Sequence, residues 1–289
     1  MQRELSCITM VFMIQLIINA DDLGINPERD RGIIEAYQHG IVTSATMIAN
    51  GLSFSSAAAQ ANSVGLPVGI HLNLSDGTAL SGPIKGLTDH DHRLPGKRQL
   101  RRYLLGKEQD LAGIRRELSA QIEKVMATGL KPGHIDGHQH CHSYPCLIGV
   151  VIELADEYGL DAMRSCLPAD PSDAEIPAEL VDDLALLRNL GQTARMMIRA
   201  SGIRTPDGLW GLPQLHSLDT AGLCTLLEKL PEGDWELMTH PGHPYRQGRP
   251  FEGEQRLTEM RALCSAAAKD IIGHRKIRLC TFGDLPCAS

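Results

Sequence analysis

The 289-residue sequence is poor in aromatic residues, which make up 4% of it with only two Trp. Its core must therefore be mostly aliphatic, and stacking surfaces for a ligand ring are few. The eight cysteines include no Cys-x-x-Cys pair, so neither a zinc ribbon nor a thioredoxin-type motif is indicated. They are also too sparse for a disulfide scaffold, and reduced thiols in a cytoplasm are the expectation. No window approaches about 18 uninterrupted apolar residues, so no membrane span is expected. Cationic surplus is lacking as well: 28 Lys and Arg stand against 35 Asp and Glu, a formal net charge of −7. Nucleic acid and anionic membrane surfaces are thus not expected partners. There is no internal repeat, low-complexity tract or evident linker. A hydrophobic content of 43% and a charged content of 22% are ordinary for a globular chain.

What is present is an alternation of strand-like and helix-like segments. Residues 13–20 are nearly continuous apolar sequence, as in a strand covered on both faces. Asn26-Pro27 is a helix start, with Asn as N-cap and Pro in the first turn, and Gly40 is the stop. Further strands are expected at 41–48, 67–74, 133–136, 162–164, 235–239 and 277–282. Helices are expected at 53–62, 108–128, 147–158, 181–198 and around 254–268, and 75–96 reads as a polar loop. This pattern predicts an α/β fold with parallel strands, either a closed or nearly closed (β/α) barrel or a doubly wound sheet. Residues 1–12 read as an N-terminal extension, an artefact of start-codon choice if Met13 is the true start, and 13–289 as a single domain.

Polar residues gather where these strands end. The first runs into Asp21-Asp22, and the third carries His71 and Asn73. The fourth opens His134-x-Asp136-x-His138-x-His140-x-His142, and a late strand runs into His240. In parallel β/α folds the C-terminal strand ends share one rim, where active sites are built. Adjacent carboxylates resist joint ionisation unless a cation or donors compensate. A divalent metal would supply the cation, and histidine is its commonest partner. Each feature has a plainer reading alone: a solvated turn, a hydrogen-bonded core histidine, a surface histidine patch, a structural cap. Their coincidence at strand ends favours a site.

Three of these segments, Asn19-Ala20-Asp21-Asp22-Leu23-Gly24, Gly69-Ile70-His71-Leu72-Asn73-Leu74 and His134-Ile135-Asp136-Gly137-His138-Gln139-His140, resemble the YdjC-like carbohydrate deacetylases. Gly40-Ile41-Val42-Thr43-Ser44-Ala45-Thr46 and Trp235-Glu236-Leu237-Met238-Thr239-His240-Pro241 are similar to the same family's second and late strands. One departure is Leu23, where the family often has Phe. The resemblance implies a distorted (β/α) barrel of about seven parallel strands, related to polysaccharide deacetylases. It implies one divalent metal ion, Zn or Mg, held by Asp22, His71 and His138, with Asp21 as general base and His240 as general acid. The activity it implies is removal of an N-acetyl group from an amino sugar or short oligosaccharide by metal-activated water.

Asn73, His134, Asp136, His140 and Arg164 are candidate substrate contacts or residues that orient the metal ligands. Tyr144, Trp210 and Tyr245 are candidate stacking surfaces for a sugar ring. An N-acetylated sugar is the expected partner, and a homodimer is a guess. Two other readings compete: a different metal-dependent amidohydrolase, and a sugar-binding or regulatory protein that performs no chemistry. A first strand ending in Asp-Asp rather than His-x-His counts against the former. A base and an acid that a mere binder does not need count against the latter.

Overall fold

The computed structural model describes residues 13–171, 176–248 and 250–287, and the extension expected at 1–12 lies outside them. Within the described residues the chain runs β1 (Ile14–Leu23), α1 (Pro27–His39), β2 (Ser44–Met47), α2 (Phe54–Val64), β3 (Val68–Leu72), α3 (Lys97–Leu104), α4 (Leu111–Met126), β4 (Ile135–Gly137), α5 (Ile148–Glu157), α6 (Val181–Ala200), β5 (Gly208–Trp210), α7 (Thr220–Lys229), β6 (Gly233–Thr239), α8 (Glu254–Leu263), α9 (Ala266–His274) and β7 (Arg278–Leu279). The strand order is β4-β3-β2-β1-β6-β5, with β7 beside the start of β1, and every pairing is parallel. Residues 162–168 span the remaining gap through single bridges, Ile135 to Met163 on the β4 side and Pro168 to Leu209 on the β5 side. The result is the expected distorted barrel of seven parallel strands, its irregular seam at 162–168.

β1 forms because Leu16, Ile17, Ile18 and Ala20 are all wholly buried, each large side chain contributing roughly 1.5–3 kcal/mol. α1 starts where expected: the Asn26 side chain accepts from Arg29 N at 2.9 Å, and Pro27 opens the first turn. Gly32 lets α1 lie directly on the loop after β6, since a Cβ there would collide with the Gly242 backbone. Three expectations need correcting. Residues 162–164 bridge their neighbours singly instead of forming a ladder. The helix expected at 254–268 is two, because Ser265 caps α9 by accepting from Ala268 N at 3.2 Å. β5, α3 and α7 were not anticipated, β5 being only three residues long.

Asp30 of α1 ties the helix to the turn after β1 by accepting from Gly24 N at 2.6 Å. Burial pushes its carboxyl up to about 6. Because burial raises its folded-state pKa, the carboxyl stabilises the fold in its neutral form, a contribution complete below about pH 4 and lost as pH rises through 6, when a charge must be held in the interior. The loss is about 3 kcal/mol at most. The Asp30→Asn protein keeps the acceptor without the charge. Its urea-unfolding stability should gain on wild type by that order between pH 4 and 7; an unchanged difference would exclude the assignment.

Candidate metal centre and catalytic site

Strand alternation would send Asp21 and Asp22 to opposite faces. A bulge prevents this: Ala20 pairs with Ala45 and Leu23 with Met47, so β1 spends one residue more than β2 over this stretch. Asp22 takes up the excess in a left-handed conformation, φ 72°, which Asp tolerates better than most residues. Both carboxylates are buried at the C-terminal end of the barrel.

Asp22 Oδ1 is the centre of one cluster. His138 Nδ1 lies 2.9 Å from it and His71 Nε2 3.4 Å from it. Yet this buried oxygen finds no well-directed hydrogen bond. Each imidazole is held from behind by another carboxylate: His71 Nδ1 meets Asp136 Oδ1 at 2.6 Å, and His138 Nε2 meets Asp76 Oδ2 at 3.0 Å. Burial alone would lower both imidazoles. Asp136 instead lifts His71 to about 10, and Asp22 lifts His138 to about 9. The three ligand atoms all lie within 4.8 Å of one another. An orphaned carboxylate oxygen, two imidazoles aimed at it, and a carboxylate fixing each ring match the donor set of a divalent metal with its orienting partners. The residues therefore fit the expected ion.

Asp21 belongs to a different arrangement. Arg164 grips it twice, Nη1 to Oδ2 at 2.7 Å and Nη2 to Oδ1 at 2.6 Å. The same buried guanidinium reaches Asp136 Oδ2 at 2.7 Å and Glu236 Oε1 at 2.6 Å. Burial opposes ionisation of Asp21, but Arg164 outweighs it and holds the carboxyl well below the usual range. Asp21, His71 and Asp136 also lie close enough to share an ion. There, however, the guanidinium already supplies the compensating charge. Glu236, buried on the far side of Arg164, is pushed up to about 7.

His240 follows β6 and presents Nε2 3.9 Å from Asp21 Oδ2. α8 fixes its backbone: Glu259 Oε1 accepts from His240 N at 2.7 Å, and Arg256 Nη1 donates to His240 O at 3.3 Å. Burial pushes the imidazole down to about 3, so it is neutral at rest. A cavity of about 770 Å³ opens over Asp21, Asp22, His71, His138 and His240 together.

The remaining candidates divide. Asp136 and Arg164 are buried beneath the cavity and hold His71 and Asp21. Asn73 lines the cavity, but its amide is spent on the loop, donating to Asn50 Oδ1 and Asp76 O at 2.8 Å each. His140 also lines it, with Nδ1 3.3 Å from Cys166 Sγ. His134 does not reach it: the ring stacks on Phe282 at 3.8 Å, and burial pushes it down to about 3. The expected alternation from 134 to 142 fails because β4 ends at Gly137 and Gln139 and His140 turn left-handed. Tyr144 and Tyr245 line the cavity, whereas Trp210 is buried edge-on against Trp235. Two residues of the site lie outside the expected set: Asp76 behind His138, and Phe251, which lines the cavity and meets the His240 ring edge-on at 5.2 Å between centroids. Asp76 sat in the segment read only as a polar loop. Removing it as Asp76→Ala should weaken metal binding about 10- to 100-fold by chelator competition; unchanged affinity would show that it does not orient His138.

Fold and site together define a parallel β/α-barrel protein with a carboxylate–imidazole centre at the C-terminal rim. Residues 15–274 match the family described as YdjC-like protein, and the chain belongs to that family. A carbohydrate deacetylase from Xenopus laevis is 30% identical, the alignment covering 94% of this chain and 98% of the relative. One from Brevibacillus brevis is 31% identical over 94% and 99%. A crystal structure from Enterococcus faecalis V583 superposes with a TM-score of 0.72 at 27% identity, covering 93% of this chain and 98% of that one. No helix among the described residues is long and apolar enough to cross a membrane.

Proposed function

We propose that this protein is a metal-dependent carbohydrate deacetylase that hydrolyses the N-acetyl group of an amino sugar or short oligosaccharide. The observation that carries the reading is the orphaned Asp22 Oδ1, with two carboxylate-backed imidazoles converging on it beside Asp21 and His240. The names of the two deacetylase relatives support the substrate class.

Asp22, His71 and His138 would hold one divalent ion, zinc suiting an O,N,N set somewhat better than magnesium. When bound, the ion supplies a Lewis acid for the acetyl carbonyl and lowers the pKa of water. The protein's own groups move the protons. Asp21, kept ionised by Arg164, accepts the proton of the attacking water at Oδ2. His240, whose Nε2 lies 3.9 Å from Asp21 Oδ2, takes that proton over and delivers it to the departing nitrogen, which cannot leave as an anion. Because burial disfavours its charged form, His240 carries that proton only transiently and gives it up readily. Arg164 fixes Asp21 by two parallel hydrogen bonds, while Asp136 and Glu236 hold the guanidinium in place.

The reading extends to a single deacetylase domain over 13–289 and, from its cysteine pattern, to a cytoplasmic setting. Its test is acetate release from N-acetylglucosamine oligomers before and after chelation. Release that stops with chelator and returns with a divalent ion is expected. Ligand binding without product would favour a non-catalytic sugar binder instead.

A further inference from the structure

The cavity has two unlike walls. One carries the carboxylates and imidazoles described above. The other is aliphatic, made by Leu180, Leu184 and Leu187 at the start of α6, Leu212 and Leu215 after β5, and Met238 of β6. Five of these, all but Leu215, belong with Cys166 and Leu209 to a small core separate from the main one. The spacing 180, 184, 187 is one face of a helix, so the wall is a continuous stripe. Asp183, between these leucines in sequence, also lines the cavity, where it is paired with Lys97 and Arg101 at the edge of the stripe.

The wall is continuous with the reaction centre. Met238 lies two residues before His240, and its partner in the sheet, Asn19, lies two before Asp21. Strand alternation therefore sets Met238 on the face that carries the catalytic pair. A sugar ring laid on the leucine and methionine side chains would give up hydrogen bonds to water that those side chains cannot replace. Methylene groups would gain by leaving water there.

We propose that the substrate is an amino sugar bearing an apolar substituent of several carbons, seated along this wall. The proposal rests on the deacetylase reading and widens it to deacylation. The substituent is either the N-acyl chain or an apolar aglycone. In both cases water adds to the acyl carbon and the C–N bond breaks. The nitrogen takes a proton and leaves as the amine, and the acyl group leaves as a carboxylic acid.

The test measures kcat/KM of the metal-loaded full-length protein on two series. One is glucosamine carrying N-acetyl, N-butanoyl, N-hexanoyl or N-octanoyl groups. The other is the methyl, butyl, hexyl and octyl glycosides of N-acetylglucosamine. In one of the two, kcat/KM should rise about fourfold for each methylene buried. A rise with acyl length places the chain on the wall, and a rise with the glycoside places the aglycone there. The Leu187→Ser protein should show a smaller rise per methylene, and an unchanged rise would overturn the placement. A flat or falling trend in both series, with the N-acetyl compounds still hydrolysed, overturns the proposal and leaves the deacetylase reading standing. Hydrolysis of no compound overturns both.

Discussion

The Asp22→Asn protein is expected to fold normally yet purify with less than about a tenth of the metal that wild type carries, and to lose turnover with it. A missing orienting partner alone typically costs about 10- to 100-fold in affinity, and here a ligand itself is blunted. Asn suits the test better than Ala. The position is left-handed, φ 72°, where Ala would add backbone strain of roughly 1–2 kcal/mol and confuse a folding defect with a lost ligand. Asn keeps the turn and replaces the carboxylate that His71 and His138 approach at 3.4 and 2.9 Å. Elemental analysis beside circular dichroism separates the effects. Wild-type metal content in Asp22→Asn would exclude Asp22 as a ligand.

Asp21→Asn should do the opposite. It should retain metal, because Asp22 and both imidazoles are untouched, and lose about 10² to 10⁴ in kcat, the usual worth of a positioned base. An amide cannot take a proton from water, though its oxygen can still accept one of the two Arg164 hydrogen bonds. Asp136 and Glu236 remain on the guanidinium at 2.7 and 2.6 Å, so the buried cation keeps partners and the barrel stays closed around it. Acetate release at matched metal content measures the effect. Full turnover on every substrate that the wild type hydrolyses would refute the base assignment.

The difference between these variants reflects what could be read from the chain. Asp21, Asp22, His71, His138 and His240 were legible because parallel strands deliver their C-terminal residues to one rim, and β1, β3, β4 and β6 each carry a polar residue there. The bulge was not legible, since the extra residue at Asp21-Asp22 shows only in how β1 pairs with β2. Asp76 was hidden because its place behind His138 depends on the loop that Asn50 and Asn73 fold by hydrogen bonds to Asp76 O. His134 misled in the other direction. It shares the spacing of Asp136 and His138, but its ring is taken by Phe282 from the end of the chain, a contact no local pattern announces. Arg164 was placed by a strand expectation that the structure replaces with single bridges. Its importance, one guanidinium among three carboxylates, comes from the closure of the barrel rather than from its neighbours in sequence.

Anomalous diffraction from crystals grown with a saturating divalent transition metal tests the account at its centre. A single peak within about 2.0–2.2 Å of Asp22 Oδ1, His71 Nε2 and His138 Nδ1 is the predicted result. A peak between Asp21 and Asp136 instead, or none near Asp22 while the crystals still deacetylate substrate, would contradict it.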